Sequence, residues 1–73
     1  MKKTSPEEFL AFAAGVLGVA SLTMDDACGE LALWDSVMHL KLVMETEAAY
    51  GISIPIERIA GLKTARDFYS LLP

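Results

Sequence analysis

The sequence predicts an all-α fold: a small four-helix bundle of three main helices and one short helix, with a long loop between the first two. Three observations carry that expectation. Two stretches, residues 6–17 and 36–50, combine apolar residues at helical spacing with a capping residue before them and a glycine after. The chain has 73 residues, 53% of them hydrophobic, which makes one domain over residues 1–73 with a thin core. Cys28 and His39 each stand alone, so an internal disulfide is impossible and a structural zinc site has too few soft ligands. Helix packing is left to hold so short a chain together.

The first helix is expected over residues 6–17. Ser5 is its N-cap, Pro6 occupies the first helical position and Glu8 closes a capping box. Phe9, Phe12, Val16 and Leu17 recur at helical spacing, Ala11, Ala13 and Ala14 favour helix, and Gly18 ends it. Residues 19–34 have no clear period and read as a loop. Leu22, Met24, Leu31 and Leu33 are its expected pegs into the core, and Asp25 and Asp26 mark a solvated turn.

The second helix is the best defined. Asp35 is its N-cap, residues 36–50 contain neither Gly nor Pro, and Gly51 follows as the C′ residue. It has two apolar stripes. Val37, Leu40, Met44 and Ala48 form one; Leu42, Val43, Ala49 and Tyr50 form the other, with His39 and Thr46 on the same side. At about 100° per residue the two lie on broadly opposite faces. A chain this small can scarcely enclose a helix on all sides, so one stripe is expected to stay exposed for a partner. Pro55 keeps Ile54 extended. Residues 57–60 read as a short helical turn, and residues 64–72 as a last helix opened by a capping box of Thr64 and Asp67. Ala13, Ala14, Ala48 and Ala49 either leave internal room or let helices approach closely.

Charge and size exclude several functions. Ten acidic residues outnumber six basic ones, giving a formal net charge of -4. The basic residues, Lys2, Lys3, Lys41, Arg58, Lys63 and Arg66, are scattered and form no stripe for a phosphate backbone, so no nucleic-acid partner is expected. A thin core leaves little room for a pocket of about 300 Å³ or more, which argues against a self-contained enzyme. Met1, Lys2 and Lys3 ahead of the apolar run at 9–22 mimic a secretory signal. Pro6, Glu7 and Glu8 interrupt it, the same segment reads as a helix start, and cleavage would leave too little chain to fold. The run is also shorter than the roughly 20 residues that span a bilayer. A cytoplasmic monomer without membrane partners is expected.

Trp34-Asp35-Ser36-Val37 opens the second helix directly after the loop. Ser36 lies in the first turn, where free backbone N–H groups and the helix dipole favour an anion, so a phosphate ester on its hydroxyl would be stabilised. Taken alone, Asp-Ser at a helix start is ordinary capping. From Asp35 to Pro55, however, the chain resembles the acyl carrier protein family without a gap. The likeness runs through Asp35-Ser36-Val37, Leu40, Leu42-Val43-Met44, Glu47, Tyr50 and Ile52-Ser53-Ile54-Pro55. It continues at Leu62-Lys63-Thr64 and Asp67, and Leu17-Gly18-Val19 resembles the end of the family's first helix.

The resemblance implies a carrier with 4′-phosphopantetheine on Ser36, attached by a phosphopantetheinyl transferase from coenzyme A, with no bond chemistry of its own. Acyl, aminoacyl or peptidyl groups would ride the arm as thioesters between a loading ligase and downstream synthases or transferases. Asp35 would cap the helix and assist the transferase's metal-aided step. The implied docking face takes in Trp34, Val37, Met38, Lys41, Met44, Glu45 and Glu47. Met38 and Lys41 stand where acids are usual in carriers of fatty acid synthesis, so this face is less acidic and more apolar. Trp34 before Asp-Ser is similar to small freestanding carriers of specialised pathways such as polyketide, peptide or modified-sugar assembly. An aminoacyl carrier loaded by an adenylating ligase, and an unmodified interaction module, are the alternatives.

The remaining residues read simply. Ser36 and His39 are an i, i+3 pair, but no third group or oxyanion site accompanies them, so His39 reads as a partly packed helix-side residue. Cys28 is a small loop residue able to form an intermolecular disulfide in vitro. Trp34 either anchors the loop or borders the arm.

Overall fold

In the computed structural model, which describes residues 4–72, four helices follow one another: α1 (Pro6–Leu17), α2 (Ser36–Tyr50), α3 (Ile56–Ile59) and α4 (Ala65–Tyr69). The lysines at 2 and 3, which make the amino end look like a signal, lie outside the described residues. Local chemistry sets most of the boundaries. Ser5 Oγ accepts from the Glu8 N–H at 3.1 Å and the Glu8 carboxylate accepts from the Ser5 N–H, which completes the expected capping box. Gly18 (φ 78°) and Gly51 (φ 64°) end α1 and α2 in the left-handed conformation, where any other residue is strained.

The carboxyl end differs from the expected helix over 64–72. The Thr64–Asp67 capping box is present, but regular helix stops at Tyr69 and the chain tightens into i→i−3 turns at Leu71 and Leu72. The Asp67 carboxylate accepts from the Lys63 and Thr64 N–H groups, which holds it below the usual carboxylate range.

The core is one contiguous cluster. Phe9, Ala13, Ala14 and Leu17 come from α1; Leu42 and Val43 from α2; Ala65 and Phe68 from α4; and Leu22, Trp34, Ile54 and Leu62 from the connections. Ala13 and Ala14 are buried at the face where α1 meets α2 and α4, so they serve close approach. Ala48 and Ala49 both face solvent and leave no internal room, so Ala49 does not follow Leu42 and Val43 of its own stripe into the core. Phe12 and Tyr50 meet edge-on at 5.5 Å, closing the end of the α1–α2 contact. The radius of gyration, 11.2 Å, equals the ~11 Å of a compact chain of this length.

The 18-residue connection between α1 and α2 is pinned to the opposite end of the chain. Cys28 N–H donates to the Lys63 carbonyl at 2.8 Å, and Ala27 bridges Thr64. Ala65 and Arg66 N–H groups, which the first turn of α4 cannot satisfy internally, donate to the carbonyls of Asp26 and Met24, each at 3.0 Å. Asp25 and Asp26 form the expected turn, with Asp26 Oδ2 accepting from Thr23 N–H and Asp25 paired to Arg66 at 3.0 Å on the surface. Of the expected pegs, Leu22 is buried and Leu31 packs partly against the core, but Leu33 is 52% exposed. The next residue, Trp34, takes the place in the core.

Thr46 is fully buried on α2, and its hydroxyl has no hydrogen-bond partner among the described residues. Thr46→Val keeps the shape and removes the orphaned group. It is expected to stabilise the fold by about 1 kcal/mol, read as a rise in the urea midpoint with unchanged slope.

Candidate functional site

The amino end of α2 is built by Asp35. Its backbone is extended (φ −93°, ψ −174°), its Oδ1 accepts from the Met38 N–H at 2.9 Å and its carbonyl accepts from the His39 N–H at 2.8 Å. Ser36 follows as the first helical residue and is exposed. No acidic residue occupies the first turn itself, so the Asp35 carboxylate at the cap is the one acidic side chain set against the positive end of the helix dipole there.

Ser36 stands on the wall of a surface groove of about 600 Å³, shared with Ala27, Cys28, His39, Leu40, Ile59, Ala60 and Leu62, with Glu30 and Lys63 as its charged members. The groove exceeds the roughly 300 Å³ for which a thin core leaves little room, because it lies open at the surface between residues 27–30, α2 and residues 59–63. A second hollow of about 220 Å³, between α3 and α4, is lined by Glu57, Arg58 and Asp67 and does not include Ser36.

Behind the groove, Trp34 Nε1–H donates to His39 Nδ1 at 3.0 Å, and both residues are buried. The indole stacks on the imidazole at 6.0 Å between centroids, and Phe68 meets the imidazole edge-on at 5.3 Å. An Nδ1 that accepts a hydrogen bond carries no proton, so His39 is neutral with its hydrogen on Nε2. Burial pushes the imidazole below its ordinary range, and the carbonyls of Ile59 and Leu62 oppose that shift. Nδ1 is engaged and is not free to act as a base on Ser36. Cys28 is half-buried, its Sγ 3.7 Å from the Asp35 carbonyl; burial and the Asp35 carboxylate push its thiol up, so it stays protonated.

The residues expected on the docking face divide. Val37 (72% exposed) and Met44 (67%) point outward with Leu40, and Lys41 and Glu45 are exposed beside them. This is the stripe of α2 left without a partner in the fold, whereas His39, Leu42, Val43 and Thr46 are buried. Met38 is half-buried and packs partly on the core. Two residues are corrected. Trp34 has no exposed surface and anchors the loop, because its indole N–H finds an acceptor only inside. Glu47 is turned inward: its Oε2 accepts from the Ile54 N–H at 2.7 Å and straps the segment after α2.

Sequence reasoning missed exposed Leu33 and Ile56, and Phe68 as the third member of the aromatic group. An aromatic at the fourth position of a capped helix was the available signal for Phe68; nothing local marked the other two.

The folded chain binds a proton at His39 less tightly than the unfolded chain does. The stability that neutral His39 contributes is therefore complete above about pH 6.5 and is lost as the pH falls below it. The expected outcome is a lower urea midpoint at about pH 5.5 than at about pH 7.5, followed by fluorescence of Trp34. His39→Gln, which cannot titrate, should flatten the curve in that window. Asp67, held low, leaves this window and titrates in more acid solution.

Neither a family model, nor a curated protein, nor a solved structure matches the chain.

Proposed function

We propose that this chain is an acyl carrier protein: a four-helix bundle whose Ser36 bears a 4′-phosphopantetheine arm and presents thioester-bound acyl intermediates to partner enzymes, in a specialised biosynthetic pathway. The observation that carries the reading is the setting of Ser36, an exposed hydroxyl at the first position of a capped helix, on the wall of a groove with apolar members. The resemblance from Asp35 to Pro55 supports it.

The local residues fit the group. Attachment forms a bond from Ser36 Oγ to the pantetheine-side phosphorus of coenzyme A, breaks the pyrophosphate bond so that adenosine 3′,5′-bisphosphate leaves, and passes the serine proton to a base of the transferase. The resulting phosphodiester sits at the positive end of α2, with Lys63 as a cation on the same groove. The bound arm supplies the thiol that holds the cargo. The chain's own contribution is tethering, which raises the effective concentration of an intermediate at each enzyme. Val37, Leu40 and Met44, flanked by Lys41 and Glu45, make the surface that meets the transferase, the loading ligase and the downstream synthase or transferase. Cargo lies in those partners, so an aminoacyl carrier served by an adenylating ligase uses the same machinery. An unmodified interaction module, also served by the exposed stripe, differs in one respect: Ser36→Ala would retain all function.

Incubation with coenzyme A and a broad-specificity phosphopantetheinyl transferase is expected to add the mass of one phosphopantetheine to the intact protein and none to Ser36→Ala. No gain in a folded sample overturns the carrier reading. Met44→Asp, at an exposed position, should leave stability within about 0.5 kcal/mol while slowing that loading, measured as initial rate against transferase concentration.

A further inference from the structure

We infer that this carrier shelters only the first few carbons of an acyl cargo and leaves a longer tail in water, because a fixed aromatic plug closes the groove beside Ser36 toward the core. The inference rests on the carrier reading.

His39 belongs to two surroundings at once. It lines the groove with Ser36, and it packs against Trp34 and Phe68, neither of which has exposed surface. The imidazole is thus the partition between groove and core. Trp34 and Phe68 stand behind it, 6.2 Å apart, with Leu42 also fully buried on the same side of α2.

The partition is held in place. The Trp34 Nε1–H bond to Nδ1 at 3.0 Å fixes the ring, and rotating it away would leave a buried indole N–H without an acceptor. Loss of the edge-on contact with Phe68 opposes the same movement. An extended chain threading from the groove into the core would have to displace this group. The groove of about 600 Å³ must accommodate the folded-back arm before any cargo. Its apolar members, Leu40, Ile59 and Leu62, can therefore cover a few carbons next to the thioester, and a longer tail remains in water. If a chain did enter the core, each buried methylene would favour the closed state by roughly fourfold.

The test loads Ser36 with acetyl, butyryl, octanoyl or dodecanoyl pantetheine from the acyl-coenzyme A, with mass confirming each product. The melting midpoint and the rate of thioester cleavage by hydroxylamine are then read. The expected result is a midpoint that stops rising beyond butyryl, with cleavage of the three longer thioesters equal within about twofold. Progressive protection from butyryl through dodecanoyl overturns the inference. In His39→Ala, with folding checked by circular dichroism, the octanoyl and dodecanoyl thioesters should become protected. A folded variant that gains no protection also overturns the role of the plug, and if it does not fold the wild-type series decides alone. A failed transferase reaction counts against the carrier reading only. The groove is then probed without it, by alkylating Ser36→Cys in a Cys28→Ser background with maleimides bearing the same chains and reading the midpoint against the same expectation.

Discussion

The hydrogen bond from Trp34 to His39 is the constraint on which the rest of the molecule depends. A buried indole N–H needs an acceptor, and the imidazole one turn into α2 supplies it. That single bond fastens the end of the long loop to the helix it introduces. Asp35 can cap α2 and Ser36 can begin it because the residue before them is held by its side chain. The same bond dictates that His39 is neutral. In a 73-residue chain the aromatic group of Trp34, His39 and Phe68 is a large share of the available core.

The other long-range fixings are backbone bonds. A helix of five residues cannot persist unaided, since the unsatisfied groups at its ends exceed the bonds it makes. α4 exists because Met24 and Asp26 carbonyls take its first N–H groups, Thr64 and Asp67 exchange bonds at its cap, and Tyr69 hydroxyl donates to the Thr4 carbonyl at 2.6 Å. Packing of α1 against α2 and α4 then buries the phenyl ring of Phe9 among Phe12, Tyr50 and Tyr69. Loop and last helix stabilise each other, and neither has a period or a propensity that would secure it alone.

What was legible in the sequence was what is local. Capping boxes at Ser5 and Thr64, the Asp35 cap and the glycines at 18 and 51 act over three or four residues, so their spacing states their geometry. The opposed stripes of α2 were legible as a period. Which stripe would be buried depended on where α1 and α4 lay. Glu47 was misplaced because its partner, the Ile54 N–H, is reached only after the chain turns at Gly51. Leu33 and Trp34 are adjacent and both hydrophobic, and hydrophobicity alone could not order them. The deciding factor was an acceptor at His39, a pairing that exists only in three dimensions. The groove was invisible for the same reason, since its walls come from residues 27–30, α2 and residues 59–63.

The carrier reading acquires a physical consequence from this arrangement. The side chain that partitions the groove from the core also receives the bond that holds the segment presenting Ser36. On the carrier proposal, capacity for cargo and placement of the attachment point would share one residue. Replacing His39 by a smaller group to deepen the groove removes the acceptor for Trp34, loosens the loop before Asp35 and weakens the helix start on which attachment depends. Replacing Trp34 by a smaller residue without an N–H frees Nδ1 and opens a void among close-packed rings. On the carrier proposal, the chain can change its partners by altering Val37 or Met44, which are exposed and lie outside the groove. Changing how much cargo it covers requires rebuilding the core.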